Sequence, residues 1–120
     1  MTIDHHYIGC QYQLISWQRS GFLPSHFTIT VEQTEADGTP CPVAPLTLAV
    51  TNHDDLFLIL DKIRAGAILP PEEAAEFTVG LKLFLEILIR HRGDALFEDI
   101  WPHMVSFMKR LKAGLRDNKQ

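Results

Sequence analysis

Cysteine is scarce in this chain: Cys10 and Cys41 are the only two among 120 residues. Two thiols are too few for a disulfide framework, so a reduced, cytoplasmic setting is expected. No apolar run reaches the roughly 20 residues that a membrane-spanning helix needs, and no membrane partner is expected. The first residues include Asp4 and lack the apolar segment of a secretion signal. Positive charge is also in short supply. Eleven Lys and Arg stand against fifteen Asp and Glu, a net charge of −4. Such a chain has no global attraction for nucleic acid, and none is expected as a partner. A glycine-rich phosphate loop, a nucleophile elbow and a Cys-x-x-Cys motif are all absent. So are internal repeats and low-complexity tracts.

What is present is apolar and periodic. The apolar fraction is 46%, over a length that suits one domain. The densest stretch runs from Phe77 to Ile89, where nine of thirteen residues are large and apolar. On a helix the apolar arc here is roughly twice the 100° stripe that a surface helix needs. Glu72, Glu76, Lys82, Glu86 and Arg90 form the remaining polar strip. A helix of this kind is covered from several sides, and it is expected at the centre of the fold. Pro71 suits its first position, and Gly93 its end. The central helix is therefore placed at about 71–91. Gly80 lies inside the arc, where glycine costs roughly 1 kcal/mol against alanine; a close approach of another element there is the expected compensation.

Upstream, Phe27, Ile29 and Val31 alternate with Thr28, Thr30 and Glu32. Leu46, Leu48 and Val50 alternate with Thr47, Ala49 and Thr51 in the same way. These are two half-buried strands, and a short connection with a turn at Asp37-Gly38 makes them antiparallel. Two strands are marginal in water, so the hairpin needs helices on its apolar face and has room for a third strand. Asn52, Asp54 and Asp55 read as capping residues for a helix whose buried stripe is Leu56, Phe57, Ile59, Leu60 and Ile63, with Gly66 just past its end. Asp94 opens a last helix in which Pro102 predicts a kink or a division into two short helices. The fold class is α+β: an antiparallel hairpin packed on three helices. Residues 1–25 read as an N-terminal extension, 26–114 as a single compact domain and 115–120 as a charged tail.

Several polar groupings contain residue types that can carry chemistry. His5, His6, His26, His91 and His103 lack the spacing of a zinc site, so no metal or cofactor is expected. His53-Asp54-Asp55 is explained by capping, since neighbouring helical residues diverge by about 100° and cannot converge on one ion. Cys41 sits between two prolines with no base nearby in sequence. Lys109, Arg110, Lys112, Arg116 and Lys119 complement a helix dipole and lack interleaved aromatics.

From His26 to Gly114 the chain resembles a small bacterial family known as domain of unknown function 3861. The likeness rests on His26-Phe27-Thr28-Ile29-Thr30-Val31-Glu32, Asn52-His53-Asp54-Asp55-Leu56-Phe57, Val79-Gly80-Leu81-Lys82-Leu83-Phe84 and Phe107-Met108-Lys109-Arg110-Leu111-Lys112. It spans about three quarters of the chain and implies a compact hairpin-plus-helices domain. It implies no activity, cofactor or catalytic residue, and residues 1–25 are extra to it. Two readings of function follow. The leading one is a non-enzymatic module that binds protein and forms a homo-oligomer, because the wide apolar arc and the free strand edges invite cover. The alternative is a small enzyme or ligand-binding protein. Its site would lie between the threonine-rich face and the N-terminal segment, at His26, Thr28, Thr30 and Thr47.

Overall fold

A computed structural model of the chain describes residues 24–117, with side chains through Leu115. The element order follows the periodicities. Strand β1 (Ser25–Val31) pairs antiparallel with β2 (Leu46–Asn52). Helix α1 (Leu56–Gly66), helix α2 (Pro71–Arg90), a 3-10 turn over Ala95–Phe97 and helix α3 (Ile100–Asp117) follow. The strand register places Phe27 opposite Val50, Ile29 opposite Leu48 and Val31 opposite Leu46. These three pairs make one face of the hairpin apolar, as the period of two requires, with the polar pair Ser25 and Asn52 at its root. Between the strands, Gly38 adopts a φ of 92° in the turn and donates its N–H to the carbonyl of Glu35. The described sheet has two strands.

The core lies among the helices. Ile59 and Ile63 of α1, Leu85 and Leu88 of α2, and Trp101, Met108, Leu111 and Leu115 of α3 form one buried cluster. The guanidinium of Arg92 sits 4.9 Å from the centre of the Trp101 ring, a cation–π contact that closes one side of it. Pro71 occupies the first turn of α2, as expected.

Several local expectations are corrected. Phe57, expected in the buried stripe of α1, is 68% exposed, because it points away from the α2–α3 core toward the hairpin's edge of the helix. The N-cap of α1 is Asp55, whose carboxylate accepts from the N–H groups of Phe57 and Leu58 at 2.9 and 3.4 Å. Asn52 and Asp54 do not cap: both are buried and point toward α2. Pro102 does not kink a helix. It falls in the first turn of α3, where its missing N–H costs nothing, and the break comes earlier, between the 3-10 turn and Ile100. The left-handed residue after α1 is Ala67 (φ 51°), while Gly66 is the last helical residue and is buried.

The glycine that meets a close neighbour is Gly66, not Gly80. A Cβ on Gly66 would lie 2.5 Å from Cδ2 of Leu115, so α1 and α3 approach each other closely there. At Gly80, nothing among the described residues lies within 4 Å of where a Cβ would be. It borders a shallow groove of about 410 Å³ with Phe77, Leu81 and Glu76. Gly80→Ala is therefore expected to raise stability by about 1 kcal/mol through helix propensity alone. Thermal unfolding should show a midpoint several degrees higher. A lower midpoint would mean that α2 is closely covered at that point by something else.

Candidate functional site

Two features of the helix–hairpin junction carry polar chemistry or open space. The first is a charged layer inside the fold. Asn52, His53 and Asp54 close β2, and Thr78, Lys82 and Glu86 recur every four residues along α2, which places them on one helical face. Lys82 and Glu86 belong to the polar strip read from the sequence, and both are buried. The strand end supplies their partners. The ammonium of Lys82 donates to Oδ2 of Asp54 at 2.5 Å, with both side chains almost fully buried. Nδ1 of His53 lies 2.6 Å from Oε1 of Glu86, the separation of an N–H donating to a carboxylate. The amide of Asn52 donates to the carbonyl of Lys82 at 3.0 Å, and its oxygen accepts from the N–H of Asp54, also at 3.0 Å. Three consecutive residues of the strand end are thus tied to two turns of α2.

A charge taken out of water costs several kcal/mol, and only a close partner with further hydrogen bonds offsets that cost. Here each buried charge has such a partner. His53 is part-exposed and Glu86 is not, so the pair reaches from the interior to the surface. A buried carboxylate behind a histidine fixes the ring's orientation, which is the positioning half of many acid–base sites.

The second feature is an apolar cleft of about 180 Å³ where the hairpin meets the helices. Phe27 and Ile29 form one wall, Phe57 and Leu60 of α1 a second, and Ala75 and Val79 of α2 the third. Phe27 and Phe57 tilt against each other with ring centres 6.1 Å apart. Thr78 also lines it; the residue is 1% exposed, and its hydroxyl oxygen has no hydrogen-bond partner among the described residues.

The residues singled out from the sequence lie on the other face of the hairpin. His26, Thr28, Thr30 and Thr47 are all exposed there. The register brings Thr30 opposite Thr47, with hydroxyls 3.5 Å apart, and His26 opposite Thr51, with Nδ1 3.0 Å from the hydroxyl oxygen. Cys41 donates its thiol to Oε1 of Glu35 at 3.3 Å. Desolvation pushes the thiol's pKa up and the bond to Glu35 adds to the rise, which keeps the sulfur protonated and a poor nucleophile. The carboxyl of Asp37, in the turn, is held below its ordinary range by the N–H of Thr39. Among the described residues, no three His, Cys, Asp or Glu side chains converge as metal ligands. No described helix is long and apolar enough to cross a membrane.

The fold and the junction define a class: an α+β domain in which a two-stranded hairpin is anchored to a helical body by buried charge. The chain belongs to the family described as a domain of unknown function with solved structure, domain of unknown function 3861, which matches residues 25–113. It is similar in structure to a protein of unknown function from Pectobacterium atrosepticum, whose crystal structure was solved at 2.20 Å resolution. The two share 32% sequence identity with a TM-score of 0.66, over 76% of this chain and 99% of the other. No curated protein matches the chain.

Proposed function

We propose that this protein is a non-enzymatic binding module that associates with a second copy of itself through the outer half of the hairpin. The observation that carries the reading is the last cross-strand pair. The apolar face is half-buried at Phe27, Ile29, Leu48 and Val50, where the helices cover it. At its far end Val31 and Leu46 face each other at 54% and 56% exposed, and Val43 in the adjoining loop is as open. The face thus continues past the helices that cover its root. Among the described residues both edges of the sheet also lack a ladder partner. A two-stranded sheet with an overhanging apolar face gains from a second layer or a third strand, and a symmetric copy supplies either.

Light scattering tests this. A mass of at least twice 13.6 kDa at micromolar concentration is expected, and Leu46→Glu should return the protein to monomer without unfolding it. A monomer mass across a wide dilution series overturns the reading. The alternative, a small-molecule site at His26, Thr28, Thr30 and Thr47, draws support from the paired hydroxyls on that face. It would gain if a monomeric protein bound a small polar ligand that Thr30→Val and Thr47→Val abolish.

A further inference from the structure

We propose that the groove over Gly80 on α2 receives an amphipathic helix of another protein, one with lysine or arginine beside its apolar stripe. The groove lies on a different side of α2 from the hairpin. Ala75 and Val79 face the hairpin cleft, whereas Glu73, Glu76, Phe77, Gly80 and Leu81 line the groove. It is therefore separate from the contact proposed for the outer hairpin.

Three observations select the occupant. The first is spacing. Phe77, Gly80, Phe84 and Ile87 follow one another at intervals of three, four and three residues, the seam by which one helix accepts another. Phe84 is 38% exposed, and Phe107, 40% exposed, leans on Phe77 from α3. Exposed aromatic rings of this kind serve as anchors in many interfaces. The second is the bare backbone at Gly80. Nothing among the described residues lies within 4 Å of where its Cβ would be, so the backbone of an incoming helix can come close there. At about 410 Å³ the groove has room for a small molecule, but it is shallow, and a small-molecule site buries most of its ligand. A helix needs only one face covered. The third is charge. Glu72 and Glu73 suit the positive end of the helix dipole, but Glu76 lies beyond the first turn, where the dipole no longer accounts for it. Among the described residues Glu73 and Glu76 are exposed and take part in no ion pair, and none that lines the groove is basic. Cations on the partner answer both carboxylates. The α2 of a second copy fits less well, because its exposed far end offers Arg90 with the opposing charge of Asp94 close behind.

Fluorescence anisotropy of the full-length protein with a labelled synthetic helix tests this. The peptide is about 18 residues of leucine, alanine and lysine, with leucines at the seam spacing and lysines beside them. Two further peptides are controls: one with glutamate in place of lysine, and one of the same residues scrambled so that no stripe forms. The lysine helix should bind with a micromolar dissociation constant, and both controls at least about tenfold more weakly. Gly80→Leu fills the groove without touching the core, so it should leave the melting midpoint no lower and weaken binding by a similar factor. Glu73→Lys/Glu76→Lys should reverse the preference, binding the glutamate helix and rejecting the lysine one. Glu32→Lys/Glu98→Lys has the same net charge, altered at exposed sites outside the groove, and should bind as wild type does. The absence of binding, equal binding of all three peptides, wild-type affinity in Gly80→Leu, or the same reversal in both double variants overturns the proposal. So does a fall in the mass of the free protein with Gly80→Leu, which would place a second copy in the groove.

Discussion

Lys82→Met is expected to destabilise the protein by about 3–5 kcal/mol, the usual cost of removing one member of a buried ion pair. For a domain of this size that corresponds to a fall in melting midpoint on the order of 20 °C. The reason lies less in the lost attraction than in what stays behind. Asp54 would keep its charge at 1% exposure with the ammonium gone, and Asn52 would still hold it in place through its backbone N–H. Asp54→Leu should do similar harm from the other side. The double variant should be milder than either single one, because both charges leave together and two apolar side chains can share the space. Thermal or denaturant unfolding of the four proteins closes the cycle. If the single variants each cost under about 1 kcal/mol, the pair is solvated in solution, and the junction is not the anchor described above.

Met108→Ala is the second large effect, at about 3 kcal/mol. The side chain is fully buried among residues of all three helices, and truncation removes its contacts and leaves a cavity. The neighbouring position is the control. Phe107 is the larger residue, yet it is 40% exposed and packs edge-on to Phe77 at 6.4 Å between centres. Its replacement by alanine should cost only about 1 kcal/mol, mainly the aromatic pairing. Size alone predicts the opposite order. A greater loss at Phe107 than at Met108 would mean that α3 turns a different face to the core, since adjacent helical residues lie about 100° apart.

The parts of this fold that were legible in sequence are those set by local period. Alternation over 27–31 and 46–50 placed both strands and their shared apolar face, and Pro71 marked the start of α2 to the residue. The family resemblance from His26 onward pointed to the same arrangement. What stayed hidden depends on partners far away in the chain. Lys82 and Glu86 look like a solvated strip because charge at helical spacing ordinarily is one, and the carboxylate that buries Lys82 lies 28 residues upstream. A signal was there: Asn52, Asp54 and Asp55 are more caps than one helix can use. Gly66 and Gly80 show the same limit. Both sit at the edge or inside of an apolar helix, and only the placement of Leu115 tells which one admits a neighbour. The cleft was equally out of reach, because Thr78 reads as one more polar residue until the hairpin is laid over it. The N-terminal extension expected over residues 1–25 lies, for its first 23 residues, outside the described residues.

The charged layer also constrains how the hairpin can be assembled. A strand that slides by one residue turns every side chain to the opposite face, and the three apolar pairs already discriminate against that error. At the root of this hairpin the error would be severe. Moving β2 by one residue along α2 would offer His53 to Lys82 in place of Asp54 and withdraw the Asn52 amide from the Lys82 carbonyl. A buried ammonium would then face an imidazole. The ion pair thus acts as a proofreading contact: it adds little to the net stability of the correct pairing, yet it makes the neighbouring alignment too unfavourable to be populated.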